Sequence, residues 1–227
     1  MRERNLGLCV GIAAVVLALK MPAPAAARQP AAQAIDLAEQ LAAGKLRAVN
    51  REVAPLQGSR RGVHISEKEG NGVAWVEGTD FAQGTIEVDV RGRDVLQRSF
   101  LGVAFHRKDD NSYEAVYLRP FNFRASAPDR HQHAVQYIAL PDYDWPRLRK
   151  EFPEEFENPV DASVSPTDWV PLRIVVSGQR IQIYVGGGGT PALEARKLGS
   201  YERGAVGLWA GNNSDGDFSN LRINPSK

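Results

Sequence analysis

Apolar and polar residues alternate along most of the chain after residue 46, in short runs separated by Gly, Asn, Asp or Pro. A period of two residues is typical of strands that bury one face. The pattern predicts strands at 46–53, 62–66, 72–76, 84–91, 99–107, 112–119, 134–140, 169–177, 180–185, 204–209 and 218–223. Because no long helical pattern lies between these runs, we expect an all-β fold, an antiparallel β-sandwich.

Two segments depart from this period. Residues 34–43 (AIDLAEQLAA) have a weak helical rhythm that ends at Gly44, and residues 145–152 (WPRLRKEF) predict a short helix with Pro146 in its first turn. The second helix belongs to an insertion, residues 142–166, that is rich in aromatic side chains. Long loops of this kind either carry function or cap the end of a core, and both alternatives remain open.

The N-terminal residues resemble a secretory signal peptide. Arg2 and Arg4 precede an apolar run at 6–19, and the alanines at 25–27 provide a cleavage site. The run is shorter than the ~20 residues that a membrane-spanning helix needs, although a retained membrane anchor is the alternative. We therefore expect a secreted or periplasmic protein with no membrane association after cleavage.

Domain boundaries follow from these patterns. We expect a signal peptide at 1–27, a linker with a short helix at 28–45, and a single β-sandwich domain at 46–227. No internal repeat is visible, which argues against propellers and solenoids. The oligomeric state is left open.

Composition excludes several classes of function. Cleavage would remove Cys9, the one cysteine, so the mature chain would have no disulfide, no cysteine-ligated zinc and no cysteine nucleophile. Removing Arg2, Arg4, Lys20 and Glu3 from 28 basic and 27 acidic residues leaves 25 and 26. This balance gives no electrostatic attraction to nucleic acid, and we expect no nucleic-acid partner.

Strand parity separates the core from the opposite face. The alternation predicts a buried set comprising Val103, Phe105, Val116, Leu118, Leu172, Ile174, Ile181 and Ile183. On the opposite face of the strands at 99–107 and 112–119, Gly102 and Ala104 would leave a hollow, beside His106, Tyr117 and Arg119. We expect this face to be concave.

The side chains of that face suit a carbohydrate ligand. A histidine supplies an acid–base group, a tyrosine supplies an aromatic platform, and an arginine supplies a fixed fork of donors. We expect His106 and Arg119 to be the catalytic residues if the protein is an enzyme. The expected substrate-binding residues are Tyr117, Asn122, Arg124, His133, Gln136 and Trp209. The alternative is that His106 and Arg119 only pair with surface carboxylates.

Evidence for a metal is weak. His131 and His133 have a spacing compatible with a transition metal, but histidine pairs are common in loops. Asp215-Gly216-Asp217 is compatible with calcium through hard oxygen ligands, or with a plain turn. We predict no metal site and no cofactor other than a possible calcium ion.

Several segments together resemble a known family. They are 84–91 (GTIEVDVR), 100–106 (FLGVAFH), 117–124 (YLRPFNFR), 207–211 (GLWAG) and 217–221 (DFSNL). They resemble the secreted concanavalin A-like, laminin-G-like domains of the 3-keto-disaccharide hydrolase family, which are related in fold to family 16 glycoside hydrolases. The resemblance spans residues 46–224. It implies a concanavalin-like jelly roll and an activity on 3-keto-glycosides.

The catalytic motif of family 16 hydrolases is incomplete in this sequence. That motif places a glutamate, an aspartate and a second glutamate on one strand. Glu87 and Asp89 match the first two positions, but Val90, Arg91 and Gly92 follow. Retaining hydrolysis needs two carboxyl groups on either side of the scissile bond, so classical glucanase activity is disfavoured.

Two functions therefore compete, with a purely structural role as the third alternative. The first is a carbohydrate-binding protein that either only binds or acts as a hydrolase or lyase, with His106 removing a proton beside a keto group and Arg119 stabilising the enolate. The second is a non-catalytic module that binds a carbohydrate or a protein through the aromatic insertion.

Overall fold

The computed structural model describes residues 33–226 of this protein, so the predicted signal peptide and the first five residues of the linker, 28–32, lie outside the described residues. Short strands dominate the described part, as the alternating pattern predicts. In chain order they are β1 (Gln33–Ile35), β2 (Leu46–Val49), β3 (Val53–Pro55), β4 (Val63–Ile65), β5 (Gly72–Val76), β6 (Gly84–Arg91), β7 (Leu101–Arg107), β8 (Tyr113–Leu118), β9 (Val135–Leu140), β10 (Glu157–Asn158), β11 (Val170–Ser177), β12 (Arg180–Val185), β13 (Leu193–Arg196), β14 (Ala205–Ala210) and β15 (Gly216–Pro225).

Helices are few and short. Within residues 33–226 they are α1 (Leu37–Ala42), α2 (Pro128–Gln132) and α3 (Trp145–Glu151), and a 3-10 turn covers Pro120–Asn122. The helix predicted in the insertion is confirmed as α3. Its N-cap is Asp144, whose side chain accepts a hydrogen bond from the backbone N–H of Arg147, and a proline occupies the first turn, where no N–H is needed.

Two antiparallel sheets form the sandwich. The spatial order of the eight-stranded sheet is β13-β12-β11-β6-β15-β4-β3, with β1 also paired to β15. The order of the seven-stranded sheet is β10-β9-β8-β7-β14-β5-β2. Every strand pair is antiparallel. The predicted all-β antiparallel sandwich with a short helical insertion is therefore confirmed.

The core lies between the sheets and contains the side chains that strand parity selects. All eight predicted members are buried: Val103, Phe105, Val116, Leu118, Leu172, Ile174, Ile181 and Ile183. The hairpin predicted between β7 and β8 is confirmed by the register that pairs Gly102 with Tyr117 and Val103 with Val116. This register sends alternate residues of both strands to the outer face of the seven-stranded sheet.

Some boundaries differ from those predicted. The run at 46–53 is divided into β2 and β3, because Asn50 between them has a left-handed φ of 52° that ends the extended conformation. Three very short strands, β1, β10 and β13, had no predicted counterpart. No helix within residues 33–226 is long and apolar enough to cross a membrane.

Candidate functional site

A row of aromatic rings crosses the outer face of the seven-stranded sheet. Trp209 on β14 and Tyr117 on β8 flank Gly102 of β7, and their ring centroids are 4.7 Å apart. Trp209 donates a 3.2 Å hydrogen bond from Nε1 to the hydroxyl of Tyr113. The Tyr113 ring then packs edge-on against Trp75 at 5.4 Å. The outer face is thus covered by aromatic side chains.

This row fills the hollow that was expected above Gly102 and Ala104. A Cβ at Gly102 would lie 2.0 Å from the backbone carbonyl oxygen of Val116, so no side chain fits there. The neighbouring rings of Tyr117 and Trp209 occupy the space instead, and both residues are buried. The open space on the outer face of the seven-stranded sheet lies at the end of this row of aromatic rings.

Arg119 and Tyr117 form a polar network beside the row. Arg119 donates from Nη2 to the Tyr117 hydroxyl at 2.9 Å and to Gln136 Oε1, and from Nη1 to the His133 carbonyl at 3.0 Å. Tyr117 donates to Gln136 Oε1 at 2.9 Å. Burial raises the pKa of Tyr117, which keeps its hydroxyl protonated. The sequence prediction placed Tyr117, Arg119 and Gln136 together, and this network brings them together.

The buried carboxylate of Glu157 lies behind this network, on β10 next to Gln136 of β9. Arg149 of α3 donates to both of its oxygens, at 2.8 Å from Nε and 2.7 Å from Nη2. Arg119 Nη1 lies 3.5 Å and His133 Nδ1 2.9 Å from Glu157 Oε2. Burial lowers the pKa of His133, although Glu157 acts in the opposite direction, so the imidazole is neutral near pH 7.

A cleft of about 600 Å³ opens over this group, within the range of small-molecule sites. Of the residues predicted from sequence, those that line it are Tyr117, Arg119, Asn122, His133 and Trp209. The sequence did not indicate its other apolar and basic lining, which includes Leu96, Phe100, Phe121, Trp145, Arg130 and Arg149. Five of the predicted site residues therefore share one cleft.

Buried Arg51 positions one rim of the cleft. Its Nη2 donates to the carbonyl oxygens of Gly70, Ala210 and Gly211, at 2.7, 3.0 and 2.6 Å. Asn212 accepts a 2.7 Å hydrogen bond at Oδ1 from the Gly70 N–H, which ties the two rim loops together. Burial lowers the pKa of Arg51, but backbone carbonyls accept hydrogen bonds from its Nη1 and Nη2 groups. Arg51 therefore fixes the loop whose Gly211 and Asn212 line the cleft.

His106 does not share this face, and its predicted placement was wrong. The pairing of β7 with β14 shifts register between Ala205 and Gly207, and His106 has a left-handed φ of 52°. Such a bulge turns the side chain to the other side of the sheet. His106 is fully buried between the sheets, with Nδ1 2.8 Å from Glu114 Oε1 and Nε2 2.8 Å from the Ala82 carbonyl oxygen. It is out of reach of a ligand in the cleft.

The other predicted polar residues divide between the cleft and the insertion. Asn122 lines the cleft and donates to the His133 carbonyl at 2.9 Å. Arg124 is exposed outside the cleft lining, and its guanidinium donates to backbone carbonyls of the segment 160–163. His131 also contacts this segment, 3.1 Å from a carbonyl oxygen. His131 and His133 thus have separate partners and do not form a pair of metal ligands.

Acidic residues with metal-like spacing are engaged by basic side chains. Asp215 Oδ1 lies 2.7 Å from Arg93 Nε, and Asp217 Oδ2 accepts from Arg91 at 2.6 Å. In residues 33–226 no group of three histidine, cysteine, aspartate or glutamate side chains is close enough to hold a metal ion. The two carboxylates that suggested calcium in the sequence are therefore each paired with an arginine.

The partial family 16 motif lies on the other sheet. Glu87 and Asp89 belong to β6, in the middle of the eight-stranded sheet. Asp89 forms an ion pair with Arg60 and accepts a 2.7 Å hydrogen bond from Asn220. Neither carboxylate lines the cleft.

The insertion both packs on the core and contributes to the cleft. Leu148 and Phe156 are buried, and the Phe156 ring lies 6.1 Å from that of Tyr137. Trp145 and Arg149, one turn apart on α3, line the cleft instead. The capping alternative therefore describes part of this segment, and a functional role of the insertion stays a prediction. In the sequence, the signal available for this part of the lining was a short helix with a Trp and, four residues later, an Arg, because residues at that spacing share one helix face.

No protein-family model and no curated protein matches the sequence. Among solved structures, the chain is similar to the carbohydrate-binding module CBM66 from Bacillus subtilis, with 15% identity, a TM-score of 0.55, and coverage of 78% of this chain and 93% of that one. A Bacillus subtilis protein of unknown function with a galectin-like fold gives 13% identity, a TM-score of 0.58, and coverage of 86% and 96%.

A third similar structure is the Ca²⁺-bound exoplasmic/lumenal domain of VIP36, with 12% identity, a TM-score of 0.51, and coverage of 78% of this chain and 83% of that one. At these identities the likeness concerns the fold alone. The chain has the galectin-like, concanavalin-like sandwich fold.

Proposed function

We propose that this protein binds a carbohydrate in the cleft of the seven-stranded sheet, with Trp145 as a platform for a sugar ring. The exposure of Trp145 carries the proposal, because 49% of this residue remains accessible although it lines a cleft. The large apolar side chains that stay exposed in residues 33–226 are Val95, Leu96 and Trp145. Leu96 also lines the cleft, so exposed apolar area is concentrated at this site, as at ligand-binding surfaces.

The polar lining complements this apolar surface. A sugar ring has apolar C–H faces and a periphery of hydroxyl groups, so its site needs aromatic surface together with directional hydrogen bonds. The cleft combines Trp145 with the side chains of Asn122, Arg130 and Asn212. Two of the structurally similar proteins support the proposal, since one is named a carbohydrate-binding module and another has a galectin-like fold.

Replacing the platform tests the proposal. Trp145→Ala should weaken binding of a glycan found by array screening by at least about ten-fold, because an aromatic anchor contributes most of the energy at such sites. Titration calorimetry measures the loss. Trp169→Ala is the matched control, since Trp169 packs under Arg60 and Arg91. Binding by Trp145→Ala equal to that of the parent would exclude the cleft as the site.

Export belongs to the same proposal. The predicted signal peptide at 1–27 would deliver the sandwich domain outside the cytoplasm, where carbohydrate ligands are encountered. The proposed ligand is a carbohydrate, and the proposal gives no role to a membrane or to nucleic acid.

A second candidate is cleavage of a 3-keto-glycoside, the activity implied by the family resemblance. The favouring observation is His133, a cleft residue with a lowered pKa and with Nδ1 2.9 Å from Glu157 Oε2. A neutral imidazole beside a carboxylate is suited to take the proton from the carbon next to the ketone, while Arg119 would stabilise the enolate oxygen. The enolate would then expel the glycosidic oxygen, which would take a proton back from the imidazolium. His133 would thus replace His106 as the base.

Incubation with a 3-keto-disaccharide separates binding from turnover. Product detected by mass spectrometry, and lost in His133→Gln, would establish the catalytic candidate. Binding without product would leave carbohydrate recognition as the whole activity.

A further inference from the structure

The charges of the cleft lining are all of one sign. Arg119, Arg130 and Arg149 line the cleft, and no aspartate or glutamate is among its lining residues. Glu157 is the carboxylate that contacts this group, and it is buried behind Arg119 and Arg149. With His133 neutral, three guanidinium groups face one carboxylate, so the cleft has an excess of two positive charges.

The guanidinium groups retain donors for a ligand. Arg149 uses Nε and Nη2 on Glu157, and Arg130 uses Nε and Nη2 on Asn122 and on the Phe121 carbonyl. Within residues 33–226 the Nη1 group of neither arginine makes a hydrogen bond. Arginine has donors and no acceptor, so these groups need a ligand that is rich in acceptors.

A further donor is buried outside the cleft lining, on a side chain that bonds to the lining residues Tyr117 and Arg119. Gln136 is 1% exposed, and its Nε2 has no partner among the described residues. The orientation of the amide is fixed, because Oε1 accepts from both Tyr117 and Arg119. A buried unpaired donor costs free energy unless a ligand or water satisfies it. The charged groups that line the cleft are therefore all donors.

Sugar hydroxyls act as both donors and acceptors, and a site for a neutral sugar benefits from carboxylate acceptors. This cleft lacks them. We infer that the cleft recognises a saccharide bearing an oxyanion, a carboxylate or a sulfate, which Arg130 and Arg149 hold while Trp145 stacks on the ring. This inference rests on the proposed carbohydrate binding and names its ligand class. Charge-assisted bonds from arginine to such groups are among the strongest in proteins.

The test compares ligands that differ only in charge. The probes are a galacturonate trisaccharide, its carboxyl-reduced neutral counterpart, and a sulfated trisaccharide of the same backbone, titrated by calorimetry after a glycan array that contains acidic and neutral glycans. We expect at least one acidic trisaccharide to bind about ten-fold or more tightly than the neutral one, with an affinity that falls as salt increases. The preferred acidic probe identifies the oxyanion.

Two cleft variants and one control locate the effect. Arg130→Gln should weaken binding of the acidic probe more than that of the neutral one, and so lower the preference by about ten-fold, since it removes one charged donor. Arg149→Lys keeps a positive charge facing Glu157 but loses the planar set of donors of the guanidinium. It should therefore also reduce the preference for the acidic probe. Arg203→Gln changes an exposed arginine that pairs with Asp80 and does not line the cleft, and should leave the preference unchanged.

The outcomes separate two failures. Equal or tighter binding of neutral glycans, with Trp145→Ala still weakening it, would overturn the charge inference and leave carbohydrate binding in place. Absence of binding to any glycan of the array would overturn the proposed function itself.

Discussion

Glu114 is a fully buried carboxylate between the two sheets, and polar side chains contact both of its oxygens. His106 Nδ1 lies 2.8 Å and Lys197 Nζ 3.1 Å from its Oε1, and Tyr137 donates its hydroxyl to Oε2. Burial and the nearby carboxylate raise the pKa of Tyr137 well above its ordinary value. A Cβ at Gly199 would lie 2.5 Å from Glu114 Oε1, so a larger residue there would displace the carboxylate. The predicted catalytic histidine thus belongs to a cluster within the core.

Removing the charge of Glu114 should destabilise the protein. Glu114→Gln keeps the volume but leaves Lys197 buried without its carboxylate, and breaking a buried pair costs about 3–5 kcal/mol of the free energy of unfolding. Urea denaturation measures the loss. Glu194→Gln, at an exposed carboxylate bonded to Arg180 and Gln182, is the matched control and should change little. A similarly small effect of Glu114→Gln would mean that the cluster does not hold an ion pair.

At the scale of elements, the period of two residues was sufficient to predict β7 and β8, their hairpin and their buried faces. Each of these depends on local alternation, which the sequence displays directly. The position of His106 depends instead on a bulge between β7 and β14, residues about a hundred positions apart in sequence. If the alternation is extended across that bulge, His106 is assigned to the wrong face of the sheet, because one extra residue reverses the parity.

Three of the five predicted residues that line the cleft come from β8 and the turn that follows it, and the other two are His133 and Trp209. Tyr117 lies on β8, Arg119 directly follows that strand, and Asn122 lies in the 3-10 turn. Their placement therefore followed from strand parity or from closeness in sequence. Arg149 and Glu157 come from the insertion, and they meet Arg119 only because two-residue β10 pairs with β9. So short a strand carries no periodic signal, and the contact could not be derived without the fold.

At the scale of the whole molecule, one hydrophobic core connects the two sheets. Residues of the seven-stranded sheet such as Phe105 and Val116 join residues of the eight-stranded sheet such as Ile174 and Ile183 in a single buried cluster. Neither sheet can bury its inner face without the other. We therefore expect residues 33–226 to unfold in one cooperative transition, as small single domains usually do.

Truncating Phe105 tests this cooperativity. Its ring is fully buried on β7 and packs edge-on against that of Phe81 at 6.4 Å between centroids. Phe105→Ala should lower the free energy of unfolding by about 3–5 kcal/mol, because it removes apolar contacts and leaves a cavity. Urea denaturation followed by far-ultraviolet circular dichroism and by tryptophan fluorescence should give the same lowered midpoint, since a shared core is lost from both sheets at once. Exposed Leu96→Ala is a control that should leave the midpoint nearly unchanged. Separate midpoints for the two probes would show that the sheets unfold independently, and a loss below about 1 kcal/mol would show that Phe105 does not face the core.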